Sequence, residues 1–299
     1  MRVANDVTVF RDGKVVSTLQ DDEIQHDTLV HQIVGRKLEE ALKRVQLHAD
    51  AGAVLVEVAG LQVGPLRDAT FSLKRGEIVG VAGLLGSGRS TLLQTLFGLR
   101  QHTGGSVTLE GQQLALDNPR QAMRHGIAFV PEDRLVEAAF TELDVRENLS
   151  IAVASQYYRR GWMARKAERK DAQQLIAELA VKVENIDSPF LSMSGGNQQK
   201  IIIGRWVRRN PKLLLLDEPT QGVDVGARAE IWRLARQLAD DGAAVLTVSS
   251  DLEELARVSD RVLVLRDGRI NAVVEGDELT EDNLNVMLLN QEATNVDAS

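Results

Sequence analysis

The chain has 299 residues, of which 43% are hydrophobic and 4% aromatic, and it contains no cysteine. This length and apolar content suffice for one large globular domain or two small ones, with a core filled mainly by aliphatic side chains. The net charge of −8 argues against a general nucleic-acid-binding protein, which needs a basic surface to displace counterions. The lack of cysteine excludes disulfides and thiolate metal sites.

The beginning of the chain repeats a later part of it. Residues 2–14 match residues 257–269 at a constant offset (257 − 2 = 255), with identical residues at seven positions. Both copies predict a strand, an Asp-Gly turn, a second strand and a short helix. Such hairpins also recur by chance, but the fixed register favours a duplication. We therefore interpret residues 1–37 as the C-terminal remnant of a preceding copy of the domain, and residues 38–53 as a helical linker.

From residue 54 onward, short apolar runs alternate with segments of helical periodicity. The runs at 77–82, 126–130, 213–216 and 243–248 predict buried strands, and shorter strands are predicted at 55–58 and 69–73. Helices are predicted at 90–99, 172–183, 198–207 and 231–238 because apolar residues recur there every three or four positions. Alternating strands and helices indicate an α/β fold with a mainly parallel core sheet covered on both faces.

A glycine-rich loop follows the strand predicted at 77–82. Gly83, Gly86 and Gly88 lack Cβ atoms, so backbone N–H groups can approach and surround an anion. The following helix adds its N-terminal dipole, which favours a phosphate at Ser87–Thr91. Within that segment the Ser90 hydroxyl suits Mg²⁺, and Thr91 can reach a more internal phosphate. Alone, this loop is as readily an ordinary tight turn as a phosphate site.

Two carboxylates at the end of a later strand strengthen the phosphate interpretation. Four leucines carry Asp217 to the end of a buried strand, where its carboxylate can hold Mg²⁺. Glu218, one residue on, can polarise an attacking water. The alternative is that two acids merely end a strand before Pro219, which the upstream phosphate loop makes much less favourable.

A second candidate anion site precedes the helix predicted at 198–207. Ser194, Gly195 and Gly196, followed by Gln198, place a hydroxyl and two glycines at a helix start. An ordinary capped helix has the same pattern. Two phosphate-binding helix starts on one chain indicate a head-to-tail sandwich, in which the loop of one copy faces the Ser-Gly-Gly of the other.

A basic stretch, Arg165-Lys166 and Arg169-Lys170, lies just before the helix predicted at 172–183. Such a stretch is usually a solvated helix face. Contact with lipid headgroups is the alternative.

In this order, the glycine loop, the Ser-Gly-Gly segment and Asp217-Glu218 resemble the ATP-binding cassette (ABC) superfamily of P-loop nucleotide triphosphatases. Residues 194–200 (SGGNQQK) and 217–227 (DEPTQGVDVGA) resemble most closely the fused two-cassette ATPases of bacterial ribose-, galactose- and xylose-type importers. Glu132-Asp133-Arg134 resembles the second cassette of such proteins. The resemblance implies an ABC domain over residues 54–299, with an antiparallel β edge and an inserted helical subdomain at about 134–208.

The resemblance also implies cofactors and partners. ATP and Mg²⁺ would be bound by the loop, with Ser90 and Asp217 as metal ligands, and Glu218 would be the catalytic carboxylate. Asp224 would lie in a loop that communicates across a dimer formed with a preceding ABC domain or a second ABC copy. Residues 132–147 would face membrane permease subunits that are fed by a periplasmic sugar-binding protein. Such ATPases are peripheral proteins on the cytoplasmic face of the bacterial inner membrane, and no nucleic-acid partner is implied.

The sequence departs from an active cassette of this family at several positions. Arg89 replaces the loop lysine, Ser250 stands where a switch histidine is expected, and Glu132 replaces a glutamine. No aromatic residue lies between Phe10 and Phe71, where an adenine-stacking ring is expected. A guanidinium is a planar fork and not an equivalent phosphate clamp. We therefore expect this chain's own nucleotide site to be slow or idle.

The resulting hypothesis is an ATP-binding and hydrolysing subunit that energises monosaccharide import. Its own site is degenerate, and its Ser194-Gly195-Gly196 completes the partner's site. Two alternatives stay open, a non-hydrolytic ABC scaffold and a soluble nucleic-acid-associated ABC ATPase. The sequence does not specify which sugar or nucleoside is transported.

Overall fold

The computed structural model describes residues 4, 6–11, 14–20, 24, 52–159 and 161–289. Ten strands form one mixed sheet, and two further pairs form small hairpins. In chain order the strands are β1 Asp6–Arg11, β2 Lys14–Gln20, β3 Val54–Val63, β4 Leu66–Lys74, β5 Ile78–Gly83, β6 Gly104–Leu109, β7 Gln112–Gln113, β8 Ile127–Val130, β9 Tyr158–Arg159, β10 Trp162–Met163, β11 Leu213–Asp217, β12 Ala244–Val248, β13 Arg261–Arg266 and β14 Arg269–Glu275.

The strand order in the large sheet is β7-β6-β3-β4-β14-β13-β5-β12-β11-β8. The strands β13, β5, β12, β11 and β8 run parallel, whereas β3 pairs antiparallel with both β4 and β6. The mainly parallel core and the antiparallel edge that we predicted are thereby confirmed.

The parallel strands are buried on both faces, as their uninterrupted apolar runs predict. Every residue of β5, β8, β11 and β12 is buried. Because parallel strands end at the same edge of a sheet, the loops after β5, β8, β11 and β12 meet there. That edge carries the glycine loop, Glu132, Asp217-Glu218 and Ser250.

The α-helices cover the sheet and fill the segment between β8 and β11. In chain order they are α1 Arg89–Leu96, α2 Pro119–Arg124, α3 Val145–Ser150, α4 Arg165–Glu178, α5 Gly195–Val207, α6 Val225–Asp240, α7 Leu252–Val258 and α8 Glu281–Leu289, with a π-helical turn at Arg134–Ala138 and 3-10 turns at Ile151–Tyr157, Phe190–Ser192 and Gly276–Glu278.

A buried ionic network joins the helices between β8 and β11. Arg146 on α3 donates to Glu168 on α4 at 2.8 Å and to Asp144 at 2.7 Å. Glu168 is fully buried and also accepts from Ser150. Breaking a buried pair of this kind costs several kcal/mol, so the network holds α3 and α4 in one arrangement ahead of α5.

The hairpin β1–β2 repeats the hairpin β13–β14 in its pairing as well as in its sequence. The pairs run from Asp6 with Gln20 to Arg11 with Lys14, and from Arg261 with Glu275 to Arg266 with Arg269. Every pair of the first corresponds to a pair of the second at the same offset (261 − 6 = 255), and both registers shift at the same place, after Val9 and Val264. The predicted short helix after β2 and the linker at 38–53 lie almost entirely outside the described residues.

Several element ends differ from the predicted ones. The helix α4 ends at Glu178 because Ala180 adopts a positive φ of 48°, so the apolar spacing that we extended to residue 183 runs past the helix. The helix α5 begins at Gly195, three residues before the predicted start, because both glycines already take helical dihedrals. No helix in the described part of the chain is long and apolar enough to cross a membrane.

Candidate functional site

The glycine loop between β5 and α1 forms a turn that leaves no room for side chains at its base. A Cβ on Gly83 would stand 2.6 Å from Ser87 Oγ and 2.8 Å from the Leu265 carbonyl oxygen. Ser87 N donates to the Leu84 carbonyl at 3.0 Å, which closes the turn. The buried Ser87 Oγ has no hydrogen-bond partner, so the loop holds a polar atom that protein groups do not satisfy.

The start of α1 is open to an anion. Gly88 precedes the helix with φ 106°, no side chain caps it, and its first turn carries no acidic residue. The N–H groups of a first turn have no intrahelical acceptor and carry a partial positive charge. The unsatisfied Ser87 hydroxyl lies beside them, so this end of the loop fits a phosphate group.

Ser90 and Asp217 are brought together as predicted, since Ser90 Oγ donates to Asp217 Oδ1 at 3.1 Å. Burial, reinforced by the nearby carboxylates of Glu132 and Glu218, raises the pKa of Asp217 to about 6. A hydroxyl and a carboxylate that is poorly stabilised in its charged form make a donor set suited to a hard divalent cation. No group of three or more His, Asp or Glu side chains with metal-ligand geometry occurs among the described residues.

Glu218 is held by groups of its own chain. Its backbone has a positive φ of 45°, and its Oε2 accepts from Ser250 N at 2.9 Å and from Ser250 Oγ at 3.1 Å. The Arg89 guanidinium lies 3.9 Å from Glu218 Oε1 and donates to the Ser249 carbonyl at 3.1 Å. Arg89 and Ser250 are thus engaged with neighbouring protein groups in this structure.

Glu132 lies at the end of β8 and is exposed. It lines a cavity of about 420 Å³ together with Ser90, Asp217 and Arg134. A carboxylate on this wall adds negative charge where a phosphate or an attacking water would be placed.

On the opposite side of the loop lies a cavity of about 390 Å³. Its walls are the turn between β3 and β4, the loop residues Leu84 and Leu85, and the turn between β13 and β14. Pro65, Arg67 and Arg266 line it, and among the described residues no aromatic ring does.

The Ser-Gly-Gly segment begins α5, as predicted. Ser194 is the residue before the helix and is exposed, and its Oγ accepts from Asn197 Nδ2 at 2.9 Å. Gly196 is packed so closely on Ala227 of α6 that a Cβ on it would overlap the alanine methyl. Asp224 caps α6 by accepting from Ala227 N at 3.0 Å, so the two predicted residues Gly196 and Asp224 meet at the start of α6.

Arg134 contacts several parts of the candidate site, although the sequence indicates it only through the family resemblance of Glu132-Asp133-Arg134. Its Nε donates to Gln198 Oε1 at 3.3 Å, and its Nη1 donates to the Gln221 carbonyl at 3.0 Å. Its Nη2 lies 2.7 Å from where a Cβ on Gly195 would stand. Arg134 thus joins the turn after β8, the start of α5 and the loop after β11. A lone arginine after two acids gave no signal of this role.

These features define a phosphate-loop nucleotide-binding domain with an inserted helical segment. The ABC transporter family matches residues 66–221, just over half of the chain. The chain belongs to the ABC transporter family.

Curated relatives match nearly the whole chain. It is 38% identical over 281 residues to a putative ribose/galactose/methyl galactoside import ATP-binding protein of Rhizobium meliloti, covering 93% of this chain and 54% of that protein. It is 42% identical over 284 residues to a ribose import ATP-binding protein of Rubrobacter xylanophilus, covering 95% of this chain and 54% of that protein. The chain therefore spans about half the length of these relatives.

Solved structures support the fold. A nucleotide-free ATP-binding cassette from an ABC transporter superposes with a TM-score of 0.67 at 22% identity, covering 78% of this chain and 96% of that chain. A dimeric post-hydrolysis ATP-binding cassette bound to ADP and phosphate superposes with a TM-score of 0.63 at 25% identity, covering 74% and 98%.

Proposed function

We propose that the chain is the ATP-binding subunit of an importer for ribose- or galactose-type monosaccharides. The observation that carries this proposal is the pairing of Ser90 Oγ with Asp217 Oδ1 at 3.1 Å, beside a loop whose Ser87 hydroxyl is buried without a partner. The names of the relatives, which describe import ATP-binding proteins, support the transport role.

Different residues of the candidate site would contact different parts of a bound nucleotide. The loop from Gly83 to Thr91 surrounds the phosphates with backbone N–H groups. Ser90 and Asp217 would hold Mg²⁺, which supplies charge neutralisation at the β- and γ-phosphates. Glu218 would accept a hydrogen bond from the attacking water, once Ser250 releases its carboxylate.

We infer that this chain's own site turns over slowly. Ser250 has no ring nitrogen to stabilise a γ-phosphate, and it donates twice to the carboxylate that would polarise water. Arg89 is bonded to the Ser249 carbonyl, and Glu132 places an acid beside Ser90 and Asp217. The first two arrangements occupy donors that could stabilise the negative charge of a phosphoryl transfer, and Glu132 adds a charge of the same sign.

The partner's site would be completed by the start of α5. The exposed Ser194 and the N–H groups after it are the donors that a γ-phosphate on a facing cassette would meet. Asp224, at the start of α6, would lie beside the same interface. A dimeric relative bound to ADP and phosphate supports this arrangement by analogy.

The permease would dock on a groove between α1 and the inserted helices. This cavity of about 710 Å³ is lined by Phe97, Leu99, Phe140, Arg205 and Trp206. Arg205 donates to the carbonyls of Asn148 and Ala138, and burial lowers its pKa to about 10. A groove whose apolar wall is bordered by the charged residues Arg100, Glu137 and Arg205 suits a short amphipathic helix from a membrane subunit.

The preceding cassette is the second proposed partner. The matched pairing of β1–β2 and β13–β14 supports the interpretation of residues 1–37 as the end of a first ABC domain. Residues 38–53 would then link it to the domain that we place at 54–299, whose helical subdomain we place at about 134–208. Such a subunit would bind the cytoplasmic face of the inner membrane peripherally, through its permease.

The test is ATP-dependent uptake of radiolabelled ribose, galactose and xylose by vesicles that contain the permease and the complete two-cassette ATPase. We expect uptake of at least one sugar, and no uptake when Ser194 is replaced by leucine in this half. Failure of all three sugars, with ATP turnover intact, would contradict the assignment to monosaccharides.

A non-hydrolytic scaffold is the alternative, and the contacts of Arg89 and Ser250 with neighbouring protein groups favour it. Equilibrium binding and turnover of radiolabelled ATP separate the two functions. ATP binding with no turnover in the complete ATPase would establish the scaffold, and rapid turnover by the isolated chain would exclude both the scaffold and a degenerate site.

A further inference from the structure

The small hairpin β9–β10 presents two aromatic side chains to solvent. Trp162 is 82% exposed and Tyr158 is 58% exposed, and they belong to neighbouring register pairs of the hairpin, so their side chains point to opposite faces of it. Large aromatic side chains are usually buried or placed at interfaces, because exposing their apolar surface to water is unfavourable. The hairpin lies outside the nucleotide site and outside the groove assigned to the permease.

The exposure of this hairpin is fixed by buried contacts at its base. Tyr157 is buried, and its hydroxyl donates to Asp171 Oδ2 at 3.0 Å. Ala164 N donates to the Tyr157 carbonyl at 2.8 Å. These bonds join the last turn before β9 to the first residues of α4, so the two exposed aromatics stand on a supported ribbon.

The helix that follows the hairpin turns an unpaired basic face outward. Glu168, Ala172 and Leu175 are its buried residues, which places Lys166 and Lys170 on the opposite side. Within the described ranges, neither lysine has a carboxylate within 4.0 Å, whereas the neighbouring Arg169 is paired with Asp187. Like charges four residues apart destabilise a helix, so this face favours a bound anion.

The charge of this stretch opposes that of the chain as a whole. Between residues 158 and 170 the sequence has six basic residues and one acid, Glu168, although the net charge of the chain is −8. Glu168 is buried and paired with Arg146, so it does not offset the outer lysines. Exposed Trp and Tyr beside unpaired Lys is the composition of membrane-interface segments, whose aromatic rings enter the headgroup layer while cations attract anionic lipids.

We propose that β9–β10 and the outer face of the first turns of α4 bind a bilayer surface that contains anionic phospholipid. Trp162, the more exposed of the two aromatics, enters the headgroup layer, and Lys166 and Lys170 bind the lipid phosphates. This contact is independent of the transport assignment, because it uses no residue of the nucleotide site or of the permease groove.

The chain contains its own probe for this contact. Of its three tryptophans, Trp206 is 9% and Trp232 is 4% exposed, so Trp162 dominates any change that solvent or lipid causes in the emission. The experiment titrates the full chain, without nucleotide, with vesicles of phosphatidylcholine alone or of phosphatidylcholine mixed with phosphatidylglycerol. We expect a blue shift, loss of acrylamide quenching and co-sedimentation with the mixed vesicles only.

Paired substitutions separate the lysines from charge in general. Replacing both Lys166 and Lys170 by glutamine should lower the partition coefficient on the order of 20-fold at low ionic strength. The matched control replaces Arg120 and Arg124, two exposed basic residues on α2 with the same spacing, and should leave partitioning unchanged. Trp162→Ser should abolish the blue shift and weaken co-sedimentation, while far-UV circular dichroism reports that each variant is folded.

Three results would overturn the proposal. They are an equal blue shift with pure phosphatidylcholine, co-sedimentation unaffected by Lys166→Gln with Lys170→Gln, and no shift with any vesicle. In the last case, protection of Trp162 from acrylamide by purified permease alone would assign the hairpin to a protein contact instead.

Discussion

The two candidate anion sites of the chain differ in how much of their chemistry is already satisfied. At the glycine loop, the side chains of Arg89 and Ser250 are bonded to neighbouring groups. At the start of α5, Ser194 is exposed, and its hydroxyl is oriented by a single side chain, Asn197. Arg89 and Ser250 would have to break these bonds before they could bind a ligand, whereas Ser194 is already exposed to one.

This difference teaches that two segments of one chain can differ in how free their polar groups are to meet a ligand. Catalytic groups accelerate a reaction only by binding the transition state better than the ground state. Glu218 accepts from Ser250, and Arg89 donates to the Ser249 carbonyl, so both would have to break bonds within the chain to gain that advantage. At the start of α5, Ser194 Oγ accepts one described hydrogen bond, from Asn197.

The largest effect is expected from Ser194→Leu in the complete two-cassette ATPase. Removing a preorganised donor to a developing anion lowers turnover on the order of 100-fold, because Ser194 would complete the productive site. The matched change in the chain's own site, Glu218→Gln, should lower turnover less than about twofold. Steady-state ATP turnover measures both, and equal losses would contradict the asymmetry.

The next largest effect is expected on the stability of the chain, from the substitution Asp217→Asn. Burial raises the pKa of Asp217 to about 6 from its ordinary 3.8, so the folded chain binds this proton more tightly than the unfolded chain does. Ionised Asp217 therefore lowers the free energy of unfolding above pH 6, by about 3 kcal/mol, and the cost disappears as the pH falls below about 4.

Urea unfolding of the isolated chain without Mg²⁺ at pH 8 and pH 4 measures this difference. Asp217→Asn should raise the free energy of unfolding at pH 8 and leave it unchanged at pH 4. The control Asp241→Asn, at an exposed position, should have little effect at either pH. A stabilisation that is equal at both values would show that burial of the charge is not the cause.

A smaller effect, a gain in ATP turnover, is expected when three departures from the active family pattern are reversed in the chain's own site. Arg89→Lys, Ser250→His and Glu132→Gln together remove the competing bonds to Glu218 and Ser249 and restore the residue types of the active family pattern. Turnover by a complete ATPase whose first cassette carries its own catalytic Glu→Gln change should rise about tenfold. An unchanged rate would show that the site is limited elsewhere, for example by the cavity without an aromatic ring.

Arg134→Gln should have the smallest effect on turnover, about fivefold, because it removes two hydrogen bonds that orient the start of α5. Because Arg134 is a positioning residue, Arg134→Gln should lower the maximal rate of the complete ATPase more than it raises the KM for ATP. Arg134→Lys should restore part of the rate. If Arg134→Gln lowered the affinity of the isolated chain for ATP by the same factor as the turnover, Arg134 would belong to the chain's own site instead.

The fold was predictable from the sequence wherever local pattern and burial agree. The leucine run before Asp217 and the apolar run before Gly83 are buried parallel strands because nothing else accommodates uninterrupted aliphatic residues of that length. The ends of helices were less predictable. Ala180 ends the last turn of α4 with a positive φ, which no alanine signals in advance.

Sequence order predicted that Ser90 and Asp217 lie near one another, whereas the hydrogen bonds among the other residues of the candidate site were not predicted. Ser90 and Asp217 meet because both follow parallel strands that end at one edge, and that placement follows from sequence order. The bonds from Ser250 to Glu218 and from Arg134 to Gln198 depend on long side chains crossing between loops. Such contacts are set by tertiary packing, and a single sequence carries no periodic signal for them.

The equal registers of β1–β2 and β13–β14 have a consequence for assembly. In the sheet, β13 lies between β14 and β5 and pairs with both, whereas within the described residues β1 pairs only with β2. The chain thus contains two ribbons that offer β5 the same spacing of donors and acceptors. At high concentration we therefore expect the first ribbon of one molecule to compete with the second ribbon of another for β5, which would give strand-exchanged oligomers.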